Sequence, residues 1–215
     1  MKIGLFGGTF NPFHFGHLKI TRFVKKQYGL DRVYLIPSAT PPHKPGSDLA
    51  PASDRYTMVK NCIVNEPGLH ISDKELTRTG PSFTIDTILE FKKELQTDAH
   101  LFLLMGSDAF LDINTWKQTD RIFSITSIIV MLRGELDNMD HIAAFIDEHI
   151  SKGYTWEKNI NEFTHGDKQT IYICRVPKID ISSTMIREYI KNHRSVDGLV
   201  PPDVAAFIKQ KELYV

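Results

Sequence analysis

The sequence predicts an α/β protein: a Rossmann-like, doubly wound parallel sheet flanked by helices, with a small helical part at the C-terminal side. Three observations carry this expectation. Short apolar runs alternate with stretches of helical spacing, and strand followed by helix, repeated, makes parallel strands covered on both faces. Most of the runs stop at glycine or proline, the residues that end a strand or helix. The composition is ordinary for a globular chain: 215 residues with 41% hydrophobic side chains can bury a core without disulfides or structural metal.

The elements follow in order. Residues 3–6 form an apolar run closed by Gly7-Gly8. Leu18, Ile20, Phe23, Val24 and Tyr28 recur at helical spacing over 17–28, and Gly29 ends that helix. A second strand is predicted at 33–36, stopped by Pro37, and a helix at 55–64 with Asp54 as its N-cap. A helix at 83–95 precedes a strand at 101–105 that ends in Gly106. Further strands are predicted at 127–132, before Arg133-Gly134, and at 171–176, and helices at 184–191 and 203–211. The stretch 38–53 is a long loop rich in Pro, Ser and Ala, a length that points to function or mobility. The stretch 135–169 is polar and reads as a surface excursion with one helix near 141–150. The whole, 1–215, reads as a single domain with 183–215 as its helical part.

Charge and cysteine content exclude several classes. Lys plus Arg total 26 and Asp plus Glu total 26, which argues against a nucleic-acid coat protein. It leaves room for a nucleotide site, which needs only a few cations and backbone amides. Cys62 and Cys174 have no neighbouring cysteine, so no zinc pattern exists; both read as buried filler. No run approaches the roughly 20 apolar residues of a membrane span, and 1–8 reads as a strand rather than a signal peptide. These features suggest a soluble, cytoplasmic protein without membrane or nucleic-acid partners; self-association is left open.

The chemistry concentrates after the strands, where such sheets bind ligands. The first junction is Gly7-Gly8-Thr9-Phe10-Asn11-Pro12-Phe13-His14-Phe15-Gly16-His17. It has neither the dinucleotide Gly-x-Gly-x-x-Gly nor a P-loop Lys-Ser/Thr. His14 and His17, three apart at a helix start, can share one side, and the helix end adds free amides and partial positive charge. Together they make a phosphate cradle. A second junction, Ile181-Ser182-Ser183-Thr184-Met185-Ile186-Arg187, offers a capping serine, another helix end and an arginine fork.

The first junction resembles the (His/Thr)-x-Gly-His signature of the nucleotidyltransferase superfamily. The chain is similar, from residue 2 to about 210 and apart from much of 135–169, to the bacterial nicotinate mononucleotide adenylyltransferases. The resemblance implies that His14 and His17 contact ATP phosphates in the transition state, with Gly7, Gly8, Thr9 and Phe10 lining the site. It implies that Ser183, Thr184 and Arg187 hold the far phosphates, and that Lys44 of the Pro41-Pro42-His43-Lys44 loop meets substrate phosphate. By itself, each of these segments also fits a plain capped helix or a solvated cation.

The substrate side rests on the same resemblance. Thr84, in Pro81-Ser82-Phe83-Thr84-Ile85-Asp86-Thr87, is implied to face the nicotinate nucleotide, although a Ser or Thr there also fits a routine N-cap; Asp86 is implied to support the local network. Asp108 is implied to contact a ribose or the adenosine region. Trp116 is either core or an aromatic platform for the pyridine ring, since stacking suits a flat, electron-poor ring. Arg133 matches a family arginine near the pyridine nucleotide. Lys117 departs from the aromatic or His common in relatives, and a lysine there can attract the nicotinate carboxylate.

The activity so implied is AMP transfer from ATP to nicotinate mononucleotide with release of pyrophosphate. Mg²⁺ rides on the ATP phosphates, and no protein metal site is expected. The alternatives are the same chemistry on nicotinamide mononucleotide, phosphopantetheine or another phosphomonoester, and a nucleotide sensor without catalysis. An oxidoreductase is disfavoured by the missing dinucleotide fingerprint.

Overall fold

The structure, a computed structural model, describes residues 1–39, 49–95, 98–132 and 139–215. Its elements run β1 (Lys2–Gly8), α1 (Phe15–Gln27), β2 (Arg32–Pro37), α2 (Ala52–Ile63), β3 (Leu69–Ile71), α3 (Lys74–Thr77), α4 (Thr84–Glu94), β4 (His100–Gly106), α5 (Ser107–Leu111), α6 (Thr119–Ile125), β5 (Ser127–Leu132), α7 (Met139–Phe145), β6 (Thr155–Glu157), β7 (Glu162–Thr164), β8 (Ile171–Arg175), α8 (Ser183–Lys191) and α9 (Pro202–Gln210). The strand order is β3-β2-β1-β4-β5-β8-β7-β6. Chain order reverses at β1, so the segment leaving its carboxyl end is where such a sheet presents a ligand.

The chain divides into two compact units. One comprises Met1–Phe6, Gly29–Asp31 and Phe83–Lys178. Here β1, β4, β5 and β8 pair in parallel, with Ile3 beside Leu101, Leu103 beside Ile128 and Val130 beside Ile173. All six residues of β5 are buried, as expected for a central strand covered on both faces. The buried Phe110 ring packs between Phe123 and Phe145, with centroids 6.4 and 5.7 Å away. The other unit comprises Gly7–Tyr28, Arg32–Ser82 and Ile179–Val215. In it β2 and β3 pair in parallel, and α2 packs on both strands and on α9. Its core includes Phe13, Val24, Leu35, Met58, Val59, Val204 and Ile208.

The expected strands and main helices are present, and several differences have local causes. Asp54 is not the cap of α2. The helix starts at Ala52 with Pro51 as N-cap, and the Pro51 carbonyl takes the amides of Asp54 and Arg55 at 3.0 Å each. Asp54 instead lies in the first turn, where its charge suits the helix dipole. Nor does a Ser or Thr cap α4: the N-cap is Phe83 without a side-chain bond, and Ser82 Oγ accepts the Ala39 amide at 3.2 Å. Within 135–169, α7 continues into a π-helical turn at Ile146–Ile150. Beyond it, an unexpected hairpin of β6 and β7 adds to β8 in antiparallel fashion, with Trp156 and Phe163 paired across it. Three-residue strands are too short to show a period in sequence. Among the described residues no helix is long and apolar enough to cross a membrane.

Candidate active site

The junction after β1 is bent at Phe10. Phe10 has φ 48°, a left-handed backbone disfavoured for a side chain of this kind. Such an outlier persists only where surroundings hold it, and it marks functional loops. The ring is buried, edge-on to Phe13 at 5.2 Å and to His17 at 5.3 Å. It also lies where a Cβ on Gly8 would come within 2.8 Å, so only glycine fits there.

His14 is the N-cap of α1. Its Nδ1 accepts the His17 amide at 3.3 Å, and in a neutral ring an accepting Nδ1 leaves the proton on Nε2. The rings of His14 and His17 lie 3.8 Å apart, so the three-residue spacing does put both imidazoles on one side. Gly16 explains the middle of the motif. A Cβ there would meet the His14 ring at 2.8 Å and the Ile181 carbonyl at 3.3 Å.

That second contact belongs to the other junction. Ser182 caps α8, its Oγ accepting the Met185 amide at 3.1 Å. Ser183 Oγ donates to the Pro12 carbonyl at 2.9 Å, and Arg187 Nη1 donates to the Asn11 carbonyl at 2.9 Å. Arg187 Nη2 reaches Thr184 Oγ1 at 3.4 Å, and its Nε is buried without a hydrogen-bond partner among the described residues. Two helix starts separated by more than 160 residues are thus hydrogen-bonded together, with two imidazoles and a guanidinium, an arrangement suited to an anion.

Three residues absent from the expected site hold this junction. Arg55 is fully buried and spends its guanidinium on three carbonyls: Nη1 to Thr9 at 2.7 Å, Nε to Ala50 at 2.9 Å and Nη2 to Ala39 at 3.1 Å. Burial lowers its pKa, partly offset by Tyr214. Asn11 Oδ1 accepts the Ala50 amide at 3.0 Å and the Tyr214 hydroxyl at 2.8 Å. One signal for Arg55 existed in the sequence: it occupies the apolar face of α2 with Met58, Val59 and Cys62, a placement a solvated arginine avoids. Asn11 lay within the first junction but without a role, and nothing local marked Tyr214, 203 positions away.

Lys44 and Arg133 are outside the described residues. Gly7 is exposed and Thr9 half-buried. The other unit carries Thr84, Asp108, Trp116 and Lys117. Thr84 opens α4 and Asp108, exposed, opens α5. Trp116 is half-buried and ends a short 3-10 turn. Lys117 is engaged: its Nζ lies 3.0 Å from Asp86 Oδ2 and 4.7 Å from the Phe83 ring centre.

A Rossmann-like sheet whose first strand feeds a His-x-Gly-His helix start, bonded to a second Ser-Ser-Thr helix start with its arginine, defines a nucleotidyltransferase. The chain belongs to the cytidylyltransferase-like family, which it matches over residues 5–189. It is 38% identical over 221 residues, spanning all of both chains, to a protein of Desulfatibacillum aliphaticivorans named probable nicotinate-nucleotide adenylyltransferase. It is 36% identical to one of the same name from Clostridium botulinum (strain Alaska E43), covering 99% of this chain and 98% of that one. Among solved structures, Plasmodium falciparum nicotinic acid mononucleotide adenylyltransferase complexed with NaAD superposes with a TM-score of 0.74 at 19% identity, covering 99% and 97% of the two chains. That likeness speaks for the fold.

Proposed function

We infer that the protein transfers the AMP moiety of Mg-ATP to nicotinate mononucleotide, giving nicotinate adenine dinucleotide and pyrophosphate. The observation that carries the phosphate part is the bonding of the two helix starts through Ser183, Pro12, Arg187 and Asn11. The acceptor is supported by the names of full-length relatives.

In the reaction a phosphate oxygen of the acceptor bonds to the α-phosphorus of ATP, and the bond from that phosphorus to the bridging oxygen breaks in line. A phosphate monoester is largely dianionic near neutral pH, so no general base is needed and the leaving group is pyrophosphate. Catalysis is positioning and charge stabilisation. His14 is fixed by its cap bond, and its Nε2–H donates to a phosphate oxygen. His17 contacts the same phosphates, and Ser183, Thr184, Arg187 and the amides of α8 bind those that leave. Gly7, Gly8, Thr9 and Phe10 line the ATP with backbone, and Lys44 adds a cation. Mg²⁺ would enter with ATP and offset the charge of its phosphates. Asp108 contacts the adenosine part. Thr84, Trp116 and Arg133 receive the pyridine nucleotide, and Lys117, shared with Asp86, favours an acid over an amide. ATP and pyridine nucleotides are cytoplasmic substrates, and the protein works there.

The test is pyrophosphate release with ATP and Mg²⁺, nicotinate and nicotinamide mononucleotides being assayed in parallel. Fast turnover with the first and slow with the second is expected. Equal turnover would overturn the acid preference, and release with neither would leave the nucleotide-sensor alternative.

A further inference from the structure

We propose that Tyr214 is a positioning residue for the phosphate junction: its hydroxyl, donated to Asn11, sets the peptide on whose carbonyl Arg187 rests. The proposal rests on the reading of Arg187 as a triphosphate contact.

Asn11 is a branch point. Its side-chain oxygen takes two donors, the Ala50 amide at 3.0 Å and the Tyr214 hydroxyl at 2.8 Å, while its backbone carbonyl takes Arg187 Nη1 at 2.9 Å. The side chain therefore cannot turn without breaking both bonds, and the peptide it belongs to aims the guanidinium. Asn11 and Tyr214 are each 8% exposed, so water does not replace a lost partner and a missing donor is felt. Tyr214 reaches this place at a conformational cost, since its φ of 66° lies in the left-handed region. Simple aromatic packing needs neither that backbone nor a partner for the hydroxyl. Burial raises the phenol's pKa, against the pull of Arg187 and Arg55, so the group stays a donor. The other donor to Asn11 is itself held, because Arg55 Nε binds the Ala50 carbonyl at 2.9 Å while its Nη1 binds Thr9 at 2.7 Å. Thr9, Asn11, Ala50, Arg55 and Tyr214 form one polar network, buried except at Thr9, and Arg187 is its outlet.

The variant is Tyr214→Phe, which keeps the ring and leaves Asn11 its bond to Ala50. Amide hydrogen exchange of the ligand-free protein is expected to quicken over residues 9–18 and to stay unchanged in β4 and β5. Unchanged exchange at 9–18 overturns the proposal, whatever reaction the protein catalyses. Affinity for a non-hydrolysable ATP analogue is then measured in two backgrounds. Tyr214→Phe is expected to weaken it about fivefold to tenfold in the unaltered protein, the scale of one buried hydrogen bond. In an Arg187→Ala background the same change is expected to cost less than about twofold, because partners on one route couple. Equal losses in both backgrounds, or no loss in the first, exclude the route through Arg187. If the unaltered protein binds no ATP analogue, the proposed function fails, and the exchange result still decides whether Tyr214 sets the junction.

Discussion

His14 serves His17 twice: its Nδ1 accepts the His17 amide at 3.3 Å, and its ring lies 3.8 Å from the His17 ring. One side chain thus starts the helix and sets its ring beside the second imidazole, and the two roles can be separated. His14→Asn keeps an oxygen able to cap, so thermal stability should stay within about 0.5 kcal/mol, whereas His14→Ala should lose about 1 kcal/mol. Both should lose turnover by about a hundredfold or more, as should His17→Ala, because a phosphate donor is gone. Calorimetry and pyrophosphate release check this; a stable His14→Asn with near-normal turnover would remove the ring from the chemistry.

Gly16 lies in the first turn of α1, where helix propensity favours Gly16→Ala by at most about 1 kcal/mol, the value for a helix interior. The added Cβ would sit 2.8 Å from the His14 ring and 3.3 Å from the Ile181 carbonyl. Neither neighbour is a flexible tip, so overpacking should win, with net destabilisation of about 1 to 3 kcal/mol. Turnover should drop as the His14 ring is displaced. A variant more stable and equally active would mean the ring moves aside freely.

Arg55 is a buried cation with three carbonyl partners. Arg55→Met strands those carbonyls and should destabilise by about 3 to 5 kcal/mol. Arg55→Lys restores charge but not the planar fork, and should recover only part of the loss. Urea midpoints of the three proteins give the order Arg, Lys, Met; any other order contradicts the account.

Burial pushes the Cys62 thiol up to about 12, while an unfolded thiol titrates near about 8.5. The folded state therefore holds its proton longer, and the stability this contributes, complete below the unfolded value, declines as pH rises towards 12. Cys62→Ala should flatten that alkaline decline. In the unaltered protein, alkylation of Cys62 at pH 8 should proceed no faster than the chain opens, and fast labelling of the native state would show the site to be accessible.

The sequence carried the parts of the fold that short-range patterns encode. The strands and the main helices were legible from apolar runs and helical spacing, because burial on one or both faces imposes those periods. The two loop-to-helix junctions were legible because each is contiguous. The hairpin at Thr155–Thr164 was not, since its strands have three residues each. The start of α2 was misplaced, because Pro51 supplies by its carbonyl and fixed φ what Asp54 was expected to supply by its side chain.

What the sequence determined by itself is the chemistry on offer: His14 and His17 at one helix start, Ser183 and Arg187 on one side of another, in an alternating α/β chain. Only the tertiary structure decided that Ser183 and Arg187 bind the carbonyls of Pro12 and Asn11, that Arg55 and Tyr214 brace that loop from within, and that Lys117 is paired with Asp86. The physical reason is separation. Such contacts join residues 31 to 203 positions apart, and no local pattern records a partner that the chain meets only after it has folded.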